Sequence, residues 1–341
     1  MCADNPNNNN IRPDDIEADD HSDISSIHTS STASLSESIR EYRQIHGRTF
    51  TQRTEYWGPN DERASESLDF NHFWMTDLFD GKLFHAPIEG SPQRVLDMGC
   101  GTGIWSIDMA DTHPPTEVTG VDLSPIQPSW VPPNCKFVID DFEQEWTWPD
   151  NHFDFIFGRN LEACFADLPS TMKEAFKHTK PGGYIEMVET DSRCWSQAKE
   201  LPEDHIYTRW HDAAIPAANS LGKPGENAAR GKLDEAMLEA GYVDLVHLKY
   251  KVPVGGWGAD PKLRRIGHCV QQWAEEGMEG FGLYLLKEIA GLSYAEIQVM
   301  FAEHRAAYRD YKLQSFFWLH VVYARKPESS EETETAPAAT D

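Results

Sequence analysis

The stretch Val95-Leu96-Asp97-Met98-Gly99-Cys100-Gly101-Thr102-Gly103 decides the fold class of this chain. It opens with an apolar run, continues with glycines at every second position, and leads into a helical pattern that begins near Ile104. Glycines are favoured at such a turn because the backbone bends sharply there and because a ligand can approach without meeting Cβ atoms. The stretch therefore predicts a strand, a ligand-binding loop and a helix, which are the first units of an α/β fold with parallel strands.

The spacing of the glycines indicates which class of ligand the loop takes. The pattern is G-x-G-x-G, whereas dinucleotide binders show G-x-G-x-x-G, whose last glycine would fall at Ile104. Asp97 lies before the first glycine, where its charge would repel a pyrophosphate but would attract a cationic ligand that carries an α-amino group. The loop thus disfavours a nicotinamide dinucleotide and favours a cationic ligand.

Acidic residues after the next two predicted strands strengthen this interpretation. Asp122 ends the second strand, about 20 residues beyond the loop, where an acidic residue is expected to accept hydrogen bonds from ribose hydroxyls. Asp140-Asp141-Phe142 follows the third strand and offers a carboxylate and an aromatic ring for an adenine. The alternative is structural, with Asp122 as a helix cap before Pro125 and the later aspartates in a solvated turn.

Apolar strand-like runs alternate with helical patterns over most of the chain, which is typical of a parallel sheet with crossover helices. The predicted strands are Val95–Met98, Val118–Val121, Phe137–Ile139, Phe153–Phe157, Tyr184–Val188, Asp244–Val252 and Phe316–Ala324. The predicted helices are Ser170–Thr179, Asp204–Asn219, Lys223–Ala240 and a mainly helical segment over 261–312. No normal crossover precedes the last strand, so we expect it to be antiparallel, with 253–314 as a helical insertion before it.

The chain is predicted to contain one α/β domain with added segments. The domain is expected to span 91–327, and the aromatic-rich segment 39–90 is predicted to form an N-terminal helical lid over the ligand. The alternative for 39–90 is a set of helices that only cover the core. Residues 1–38 and 328–341 are predicted to be disordered, because their polar composition cannot bury enough apolar surface to offset the entropy of ordering.

The composition limits the classes of partner. The formal net charge is −26, from 56 acidic and 30 basic residues, which argues against direct nucleic-acid binding because such binding needs a basic footprint. The six cysteines form no C-x-x-C pair and no H-E-x-x-H pattern is present, so no metal site is predicted. The sequence shows neither an apolar signal region nor a run of the roughly 18 apolar residues that a membrane span needs. We expect no membrane association and a location in the cytoplasm, the nucleus or both.

The glycine loop, Asp122, Asp140–Phe142 and the turn Lys180-Pro181-Gly182-Gly183-Tyr184 together resemble a class I methyltransferase that uses S-adenosylmethionine (SAM). More narrowly, residues 40–327 resemble the fungal LaeA-like methyltransferases, whose namesake regulates secondary metabolism. The narrower likeness rests on Tyr56-Trp57-Gly58-Pro59-Asn60-Asp61-Glu62, Gly158-Arg159-Asn160, Gly255-Gly256-Trp257 and Val321-Val322-Tyr323-Ala324-Arg325-Lys326-Pro327. It implies a Rossmann-like class I methyltransferase sheet and SAM as the cofactor.

The resemblance also implies which residues bind the cofactor. These are Asp97, Gly99, Gly101, Gly103, Asp122, Asp141, Phe142, Tyr56 and Arg159. Tyr56 and His72 are implied to belong to the lid, and Arg159 to lie at the tip of the fourth strand, facing cofactor and acceptor. The family likeness further implies a velvet-type protein as a partner.

The sequence leaves the methyl acceptor and the catalytic residues open. A base is needed only if the acceptor must lose a proton, as an alcohol or phenol would. The residues with suitable chemistry are His72, His85, Glu162, Glu189 and His211. We expect a methyltransferase that acts on a hydroxyl, amine or carboxyl group of a small specialised metabolite. The alternatives are a regulatory protein that acts through velvet-type partners and, least favoured, an NAD(P)-dependent oxidoreductase.

Overall fold

The computed structural model of the chain describes residues 42–52 and 56–328. The predictions of disorder for 1–38 and for the tail after 328 lie outside these residues. The strands are β1 (Tyr42–Ile45), β2 (Arg48–Thr51), β3 (Arg94–Met98), β4 (Glu117–Asp122), β5 (Cys135–Ile139), β6 (Phe153–Arg159), β7 (Thr179–Thr190), β8 (Trp195–Ser196), β9 (Val243–Pro253) and β10 (Ser315–Arg325). The helices are α1 (Glu62–Leu78), α2 (Ile104–Thr112), α3 (Leu168–His178), α4 (Ile206–Ser220), α5 (Lys232–Ala240), α6 (Pro261–Tyr284) with a π-helical turn at Leu285–Ile289, and α7 (Tyr294–Arg309).

The main sheet has the order β5-β4-β3-β6-β7-β10, with β9 on the far side of β10 and the short β8 on the first residues of β10. Strands β3 to β7 pair in parallel, whereas β10 is antiparallel to both β7 and β9. This is the Rossmann-like class I methyltransferase sheet, so the predicted α/β fold and the antiparallel last strand are confirmed.

The sheet separates two apolar clusters because neighbouring residues of a strand point to opposite faces. Val95 and Phe155 belong to the cluster packed against α1, α2, α6 and α7, whereas Leu96 and Ile156 belong to the cluster packed against α3 and α5. The two clusters hold the strand ends in fixed register, which in turn positions the loops that follow them.

The register of the parallel strands brings the predicted site residues to one edge of the sheet. Met98 on β3 pairs with Val121 on β4 and with Gly158 on β6. The residues that follow these three are Gly99, Asp122 and Arg159, so they lie level with one another at the carboxyl ends of the strands. This is the edge at which open α/β sheets bind their ligands.

The predicted helical lid over 39–90 needs correction. Among the described residues of this segment, the first part forms the antiparallel hairpin β1–β2, and α1 is the only helix. The hairpin is tied to the helix by Arg48, whose Nε donates to Oδ2 of Asp61 at 2.5 Å, while Asp61 caps α1 by accepting from the N–H of Ala64. The aromatic residues of this segment masked the β pattern, since they are common in strands and in buried helices alike.

Two further element boundaries differ from the predictions. The helix predicted over Lys223–Ala240 begins only at Lys232, because Gly231 adopts a left-handed φ of 73° directly before it. The Pro181-Gly182-Gly183 sequence, expected to be a turn, lies within β7, where the pairing with β6 shifts register.

The segment between β9 and β10 consists of α6, the π-helical turn and α7, and it packs beside α1 and α4. Helix α6 begins after Asp260, which accepts from the N–H groups of Lys262 and Leu263, and α7 has a capping box formed by Ser293 and Glu296. None of the helices within 42–52 and 56–328 combines the length and apolar character needed to cross a membrane.

Candidate functional site

The glycine loop after β3 has the backbone conformation that its sequence predicts. Gly99, Gly101 and Gly103 have φ values of 63°, 57° and 78°, which side chains other than glycine rarely adopt. A Cβ atom on Gly103 would overlap the ring of Phe137, and one on Gly99 would lie 2.5 Å from Cδ2 of Leu161. Both space and backbone conformation therefore require glycine here.

Helix α1 lies across this loop. A Cβ atom on Gly101 would be 3.1 Å from Cδ1 of Leu68, and Oγ1 of Thr102 donates to Oδ1 of Asp69 at 2.6 Å. The helix thus contacts the loop at two successive positions, which is the place where a segment that covers a bound ligand is expected to lie. That it forms a lid over a bound ligand stays a prediction.

Asp97 is buried directly beneath the loop. Its Oδ2 accepts a hydrogen bond of 2.6 Å from Oγ of Ser106, and the residue is only 3% exposed. Burial raises the pKa of Asp97 to about 7, and the nearby charge of Arg159 opposes that rise. The carboxyl group is therefore ready to ionise when a cation binds next to it.

Asp122 ends β4 and holds the loop from the other side. Its oxygens accept from the N–H of Gly101 and from the N–H of Ser124, each at 2.8 Å. Burial raises the pKa of Asp122 to about 6 although both hydrogen bonds favour the charged form. No helix begins between Asp122 and Cys135, so the helix-cap alternative is wrong: the carboxylate holds the turn at Ser124 and faces the glycine loop.

The remaining predicted cofactor residues lie beside these two carboxylates. Phe142 is buried, and its Cε1 would be 3.4 Å from a Cβ on Gly99, while Oδ1 of Asp141 accepts from the N–H of Glu143 at 3.0 Å. The Tyr56 hydroxyl bonds to Cys164, and burial together with Cys164 and Asp122 raises the pKa of Tyr56. The fold brings residues 86 positions apart in sequence, Tyr56 and Phe142, to one edge of the sheet.

Arg159 occupies the position predicted for it, but its hydrogen bond goes to the protein. Its Nη1 donates to Nδ1 of His72 at 2.9 Å, and Nε2 of His72 lies 2.9 Å from Oδ2 of Asp108. Since Nδ1 accepts from Arg159, Nε2 must donate to Asp108, so both ring nitrogens of His72 are engaged. His72 therefore positions Arg159 and is not a free base.

A cavity of about 280 Å³ opens beside the loop, at the ends of β6 and β7. It shares Leu68, Asn71 and Asn160 with a cleft of about 30 Å³ that reaches Asp97, the glycine loop and Arg159. Its apolar wall is formed mainly by α1, α4, α6 and α7, with Trp57, Trp210, Trp273, Met278, Phe281 and Tyr308 among the lining residues. The helical insertion thus contributes one part of the apolar wall next to the loop, and α1 and α4 contribute others.

Only two of the predicted base candidates line this cavity among the described residues, Glu162 and Glu189. Glu189 accepts from the N–H groups of Leu161 and Glu162, and Glu162 accepts from those of Asn227 and Ala228. Burial raises the pKa of Glu162 to about 7. It also raises the pKa of Glu189, and the charge of the neighbouring Glu162 raises that pKa further.

The other two base candidates are bound elsewhere. His85 lies against the buried Glu186, which accepts from the backbone N–H of His85 at 2.7 Å, and Nε2 of His85 bonds to Tyr250. His211 bonds to Glu226 at 2.7 Å through Nε2 and to Asp212 through Nδ1. Both histidines therefore hold neighbouring elements together.

Three buried polar groups that sequence reasoning missed also line the cavity. Oδ1 of Asn71, both ring nitrogens of His304 and Nε2 of His320 have no hydrogen-bond partner within the described part of the chain. A buried polar group without a hydrogen bond destabilises the folded protein unless a bound ligand supplies the missing partner. A signal existed for His304, because it falls on the same helical face as Phe301 and Tyr308, where a histidine among apolar residues is unusual.

The family profile described as "Methyltransferase domain" matches residues 70–248. The methyltransferase pytC of Aspergillus terreus is 34% identical over 320 residues, which cover 92% of this chain and 97% of that protein. The secondary metabolism regulator LAE1 of Cochliobolus heterostrophus is 30% identical over 84% of this chain and 94% of its own.

The chain belongs to the LaeA-like class I methyltransferases. Among solved structures, the SAM complex of phosphoethanolamine N-methyltransferase 2 from Haemonchus contortus has a TM-score of 0.46 at 16% identity. The match covers 82% of this chain but only 62% of that one. The methyltransferase assignment therefore rests on the sequence relatives and on the strand order of this chain.

The site fits SAM, the cofactor of this family. Three left-handed glycines leave room for close approach, Asp97 and Asp122 supply buried carboxylates for a cationic ligand with ribose hydroxyls, and Asn71 offers an unused acceptor atom. When bound, SAM supplies an electrophilic methyl group on a positively charged sulfur. Within the described residues, no cluster of three or more His, Cys, Asp or Glu could hold a metal ion.

The affinity for SAM is expected to rise with pH. Asp97 and Asp122 have pKa values of about 7 and about 6, so each carries a proton over part of the range below neutrality. A cation bound beside them favours the ionised forms and expels those protons, so affinity rises by up to about tenfold per pH unit while one carboxyl titrates. Calorimetry between pH 5.5 and 7.5, in buffers of different ionisation enthalpy, measures both affinity and protons released.

S-adenosylhomocysteine provides the control because it lacks the sulfonium charge and should show a weaker pH dependence. The stability of the protein without SAM is expected to depend on pH in the opposite sense. Since both carboxyl pKa values are raised on folding, their stabilising contribution is present at low pH and is lost as pH rises through about 6 to 7. An affinity for SAM that does not change with pH would contradict this account.

Proposed function

We propose that the protein transfers the methyl group of SAM to a small, largely apolar acceptor held in the cavity beside the glycine loop. The observation that carries the proposal is the continuity of the cavity with the cofactor cleft through Leu68, Asn71 and Asn160. An acceptor in the cavity and a cofactor at the loop would meet at these residues, and such positioning is the main contribution of the protein to methyl transfer.

The character of the cavity supports a neutral acceptor. Its volume of about 280 Å³ is close to the lower end of the range for small-molecule pockets, roughly 300 to 1,000 Å³. Aromatic and aliphatic side chains form most of its wall, and burial favours the uncharged forms of Glu162 and Glu189. A specialised metabolite with a ring system and a few polar substituents matches this lining better than a charged substrate does.

Transfer of labelled methyl groups from SAM to a metabolite extract tests the proposal. Ala214 is buried and lines the cavity, so Ala214→Phe should abolish transfer while SAM binding stays within a few-fold of wild type. Ala302→Phe, on the exposed face of α7, is the matched control and should change neither quantity. Tight SAM binding without transfer to any extract component would count against this function.

Replacing His304 by leucine is expected to stabilise the free protein and to impair acceptor turnover. Both ring nitrogens are buried without a partner among the residues described, and burial lowers the pKa of His304 to about 3, so the ring is neutral. Removing these polar atoms should raise the free energy of unfolding by about 1 kcal/mol and lower kcat/KM for the acceptor by about tenfold or more. Urea unfolding and steady-state kinetics measure the two effects.

His178→Leu is the matched control for this substitution. His178 is equally buried, but Nδ1 lies 2.9 Å from the carbonyl of Pro149 and Nε2 lies 3.1 Å from Glu174. Its replacement should therefore destabilise the protein. If both substitutions destabilise the protein alike, the ring of His304 makes hydrogen bonds in the folded protein, and this prediction is wrong.

A second candidate function is regulatory. The regulator LAE1, at 30% identity, supports it: this chain could act through a velvet-type protein partner, with SAM binding required for the effect. Co-expression with velvet-domain proteins followed by size-exclusion chromatography tests this, and the absence of a stable complex would weaken it. A location in the cytoplasm or nucleus belongs to the same proposal and can be tested by fluorescent tagging.

A further inference from the structure

Three polar side chains form a continuous hydrogen-bonded row from the protein surface to the cavity. Oδ2 of Asp234 on α5 lies 2.9 Å from Nδ1 of His247 on β9, and Nε2 of His247 lies 2.8 Å from Nδ1 of His320 on β10. The side chains of Asp234 and His247 are 25% and 19% exposed, whereas His320 is 1% exposed and lines the cavity. The row therefore joins solvent to the acceptor chamber.

The chemistry of the row fixes the tautomer of His320. An ionised carboxylate can only accept hydrogen bonds, so Nδ1 of His247 must donate to Asp234. When His247 carries a single ring proton, its Nε2 has a lone pair, which must accept from Nδ1 of His320. His320 in turn carries its lone pair on Nε2, the nitrogen that has no partner among the residues described.

The surroundings of His320 keep this nitrogen able to accept a proton. Burial, His247 and Lys249 lower the pKa of His320 to about 4, so the ring is neutral near pH 7. Glu189 is its partner across the ladder on β7, and Glu162 lies next to Glu189, but the oxygens of both already accept backbone N–H groups. Of the two histidines that line the cavity in the described part of the chain, His320 is the one that combines a ring nitrogen without a hydrogen-bond partner and a hydrogen-bonded route to solvent.

We propose that His320 is the general base of the reaction and that the acceptor is methylated on a hydroxyl oxygen. The inference rests on the proposed function of the cavity. The acceptor O–H bond breaks as the new O–CH₃ bond forms, the proton goes to Nε2 of His320, and the electron pair of the broken S–CH₃ bond stays on the sulfur of the departing thioether. As Nε2 gains its proton, the Nδ1 proton of His320 passes to Nε2 of His247.

A buried histidine is a weak base, and the row compensates for this by carrying the positive charge away from the buried position. A proton retained on His320 would leave a positive charge in a buried position, which is unfavourable. Passing the charge to His247 places it beside the carboxylate of Asp234 and close to solvent, where the proton can leave. His304, which also lines the cavity, has no such second residue and is better suited to recognising a distal polar group.

The tautomer can be measured without an acceptor. Nitrogen chemical shifts of ¹⁵N-histidine in the full-length protein should show His320 protonated at Nδ1 and unprotonated at Nε2 near pH 7, the less common neutral form. His247→Phe, which removes the acceptor for Nδ1, should abolish this preference. A wild-type His320 protonated at Nε2 overturns the proposal.

Turnover provides the second test, with 2-naphthol as the probe acceptor. His320→Gln keeps a hydrogen-bonding side chain but cannot take the proton, so kcat should fall by at least about 100-fold while KM and SAM affinity change only a few-fold. His247→Phe and Asp234→Asn should lower kcat and shift its pH profile. His178→Gln, at a buried histidine outside the cavity, should lower stability at most.

The outcomes separate this inference from the proposed function. Absence of SAM-dependent transfer by the wild type to any acceptor contradicts the proposed function, whereas transfer that survives His320→Gln contradicts only the role of His320. A parallel loss of SAM affinity, stability and kcat in all three variants of the row indicates a purely structural network and also overturns the proposal. If 2-naphthol is not methylated, the tautomer measurement decides.

Discussion

Replacing Asp122 by alanine is expected to weaken SAM binding by roughly 30- to 1,000-fold, or about 2 to 4 kcal/mol. The carboxylate accepts from the N–H groups of Gly101 and Ser124, so it both shapes the glycine loop and presents a charge at the carboxyl end of β4. Its loss leaves two backbone donors unpaired and should remove the charge-assisted hydrogen bonds that we expect it to make to the ribose hydroxyls. Isothermal calorimetry with SAM and S-adenosylhomocysteine measures the effect.

Glu117→Ala provides the matched control for this experiment. Glu117 begins the same strand, its side chain is 70% exposed, and it forms an ion pair with Arg94 at 3.5 Å. It lies at the opposite edge of the sheet, so its removal should leave SAM affinity unchanged. Equal affinity of the Asp122→Ala variant and the wild type would show that this carboxylate does not contact the cofactor.

Replacing Gly103 by alanine is expected to destabilise the protein by about 2 to 5 kcal/mol and to abolish measurable SAM binding. Two costs add. The left-handed φ of 78° disfavours any residue with a Cβ, and that Cβ would overlap the ring of Phe137. The loop must therefore move, and the cofactor site moves with it. Urea unfolding gives the free energy, and calorimetry gives the binding.

Substitution of a second glycine measures the effect of backbone conformation without the effect of packing. Gly81 has a similar φ of 82°, but a Cβ there meets nothing within 4 Å, so Gly81→Ala should cost only the backbone contribution of about 1 kcal/mol. Adding Phe137→Leu to Gly103→Ala should restore part of the lost stability by making space. If Gly81→Ala and Gly103→Ala destabilise equally, packing against Phe137 is not what requires glycine.

The glycine loop and the strand order were predictable from the sequence because their determinants are local. A strand pattern, a glycine turn and a helical pattern follow one another within 18 residues, from Val95 to Thr112, and parallel strands carry their loops to a common edge. The positions of Asp97, Asp122 and Phe142 follow from this rule alone. Their roles as SAM ligands stay predictions until binding is measured.

The hairpin in the segment before the sheet could not be predicted from local sequence patterns. Aromatic residues dominate 39–90, and the same composition suits a hairpin or a buried helix. The hairpin β1–β2 is stabilised by a contact at a distance in sequence, from Arg48 to Asp61 at the start of α1. Pairing of this kind leaves no periodic pattern, so the sequence predicted a helical lid over 39–90 and no hairpin.

The sequence by itself determined the class of sheet, the glycine loop and the cofactor family, because short-range spacing specifies each of them. Only the tertiary structure decided which polar residues line the cavity. His304 and His320 lie on α7 and β10, and the row from Asp234 to His320 spans 86 residues of chain. Their common cavity arises when α6 and α7 fold back beside α1 and α4, and the free energy of that packing depends on contacts between residues far apart in sequence.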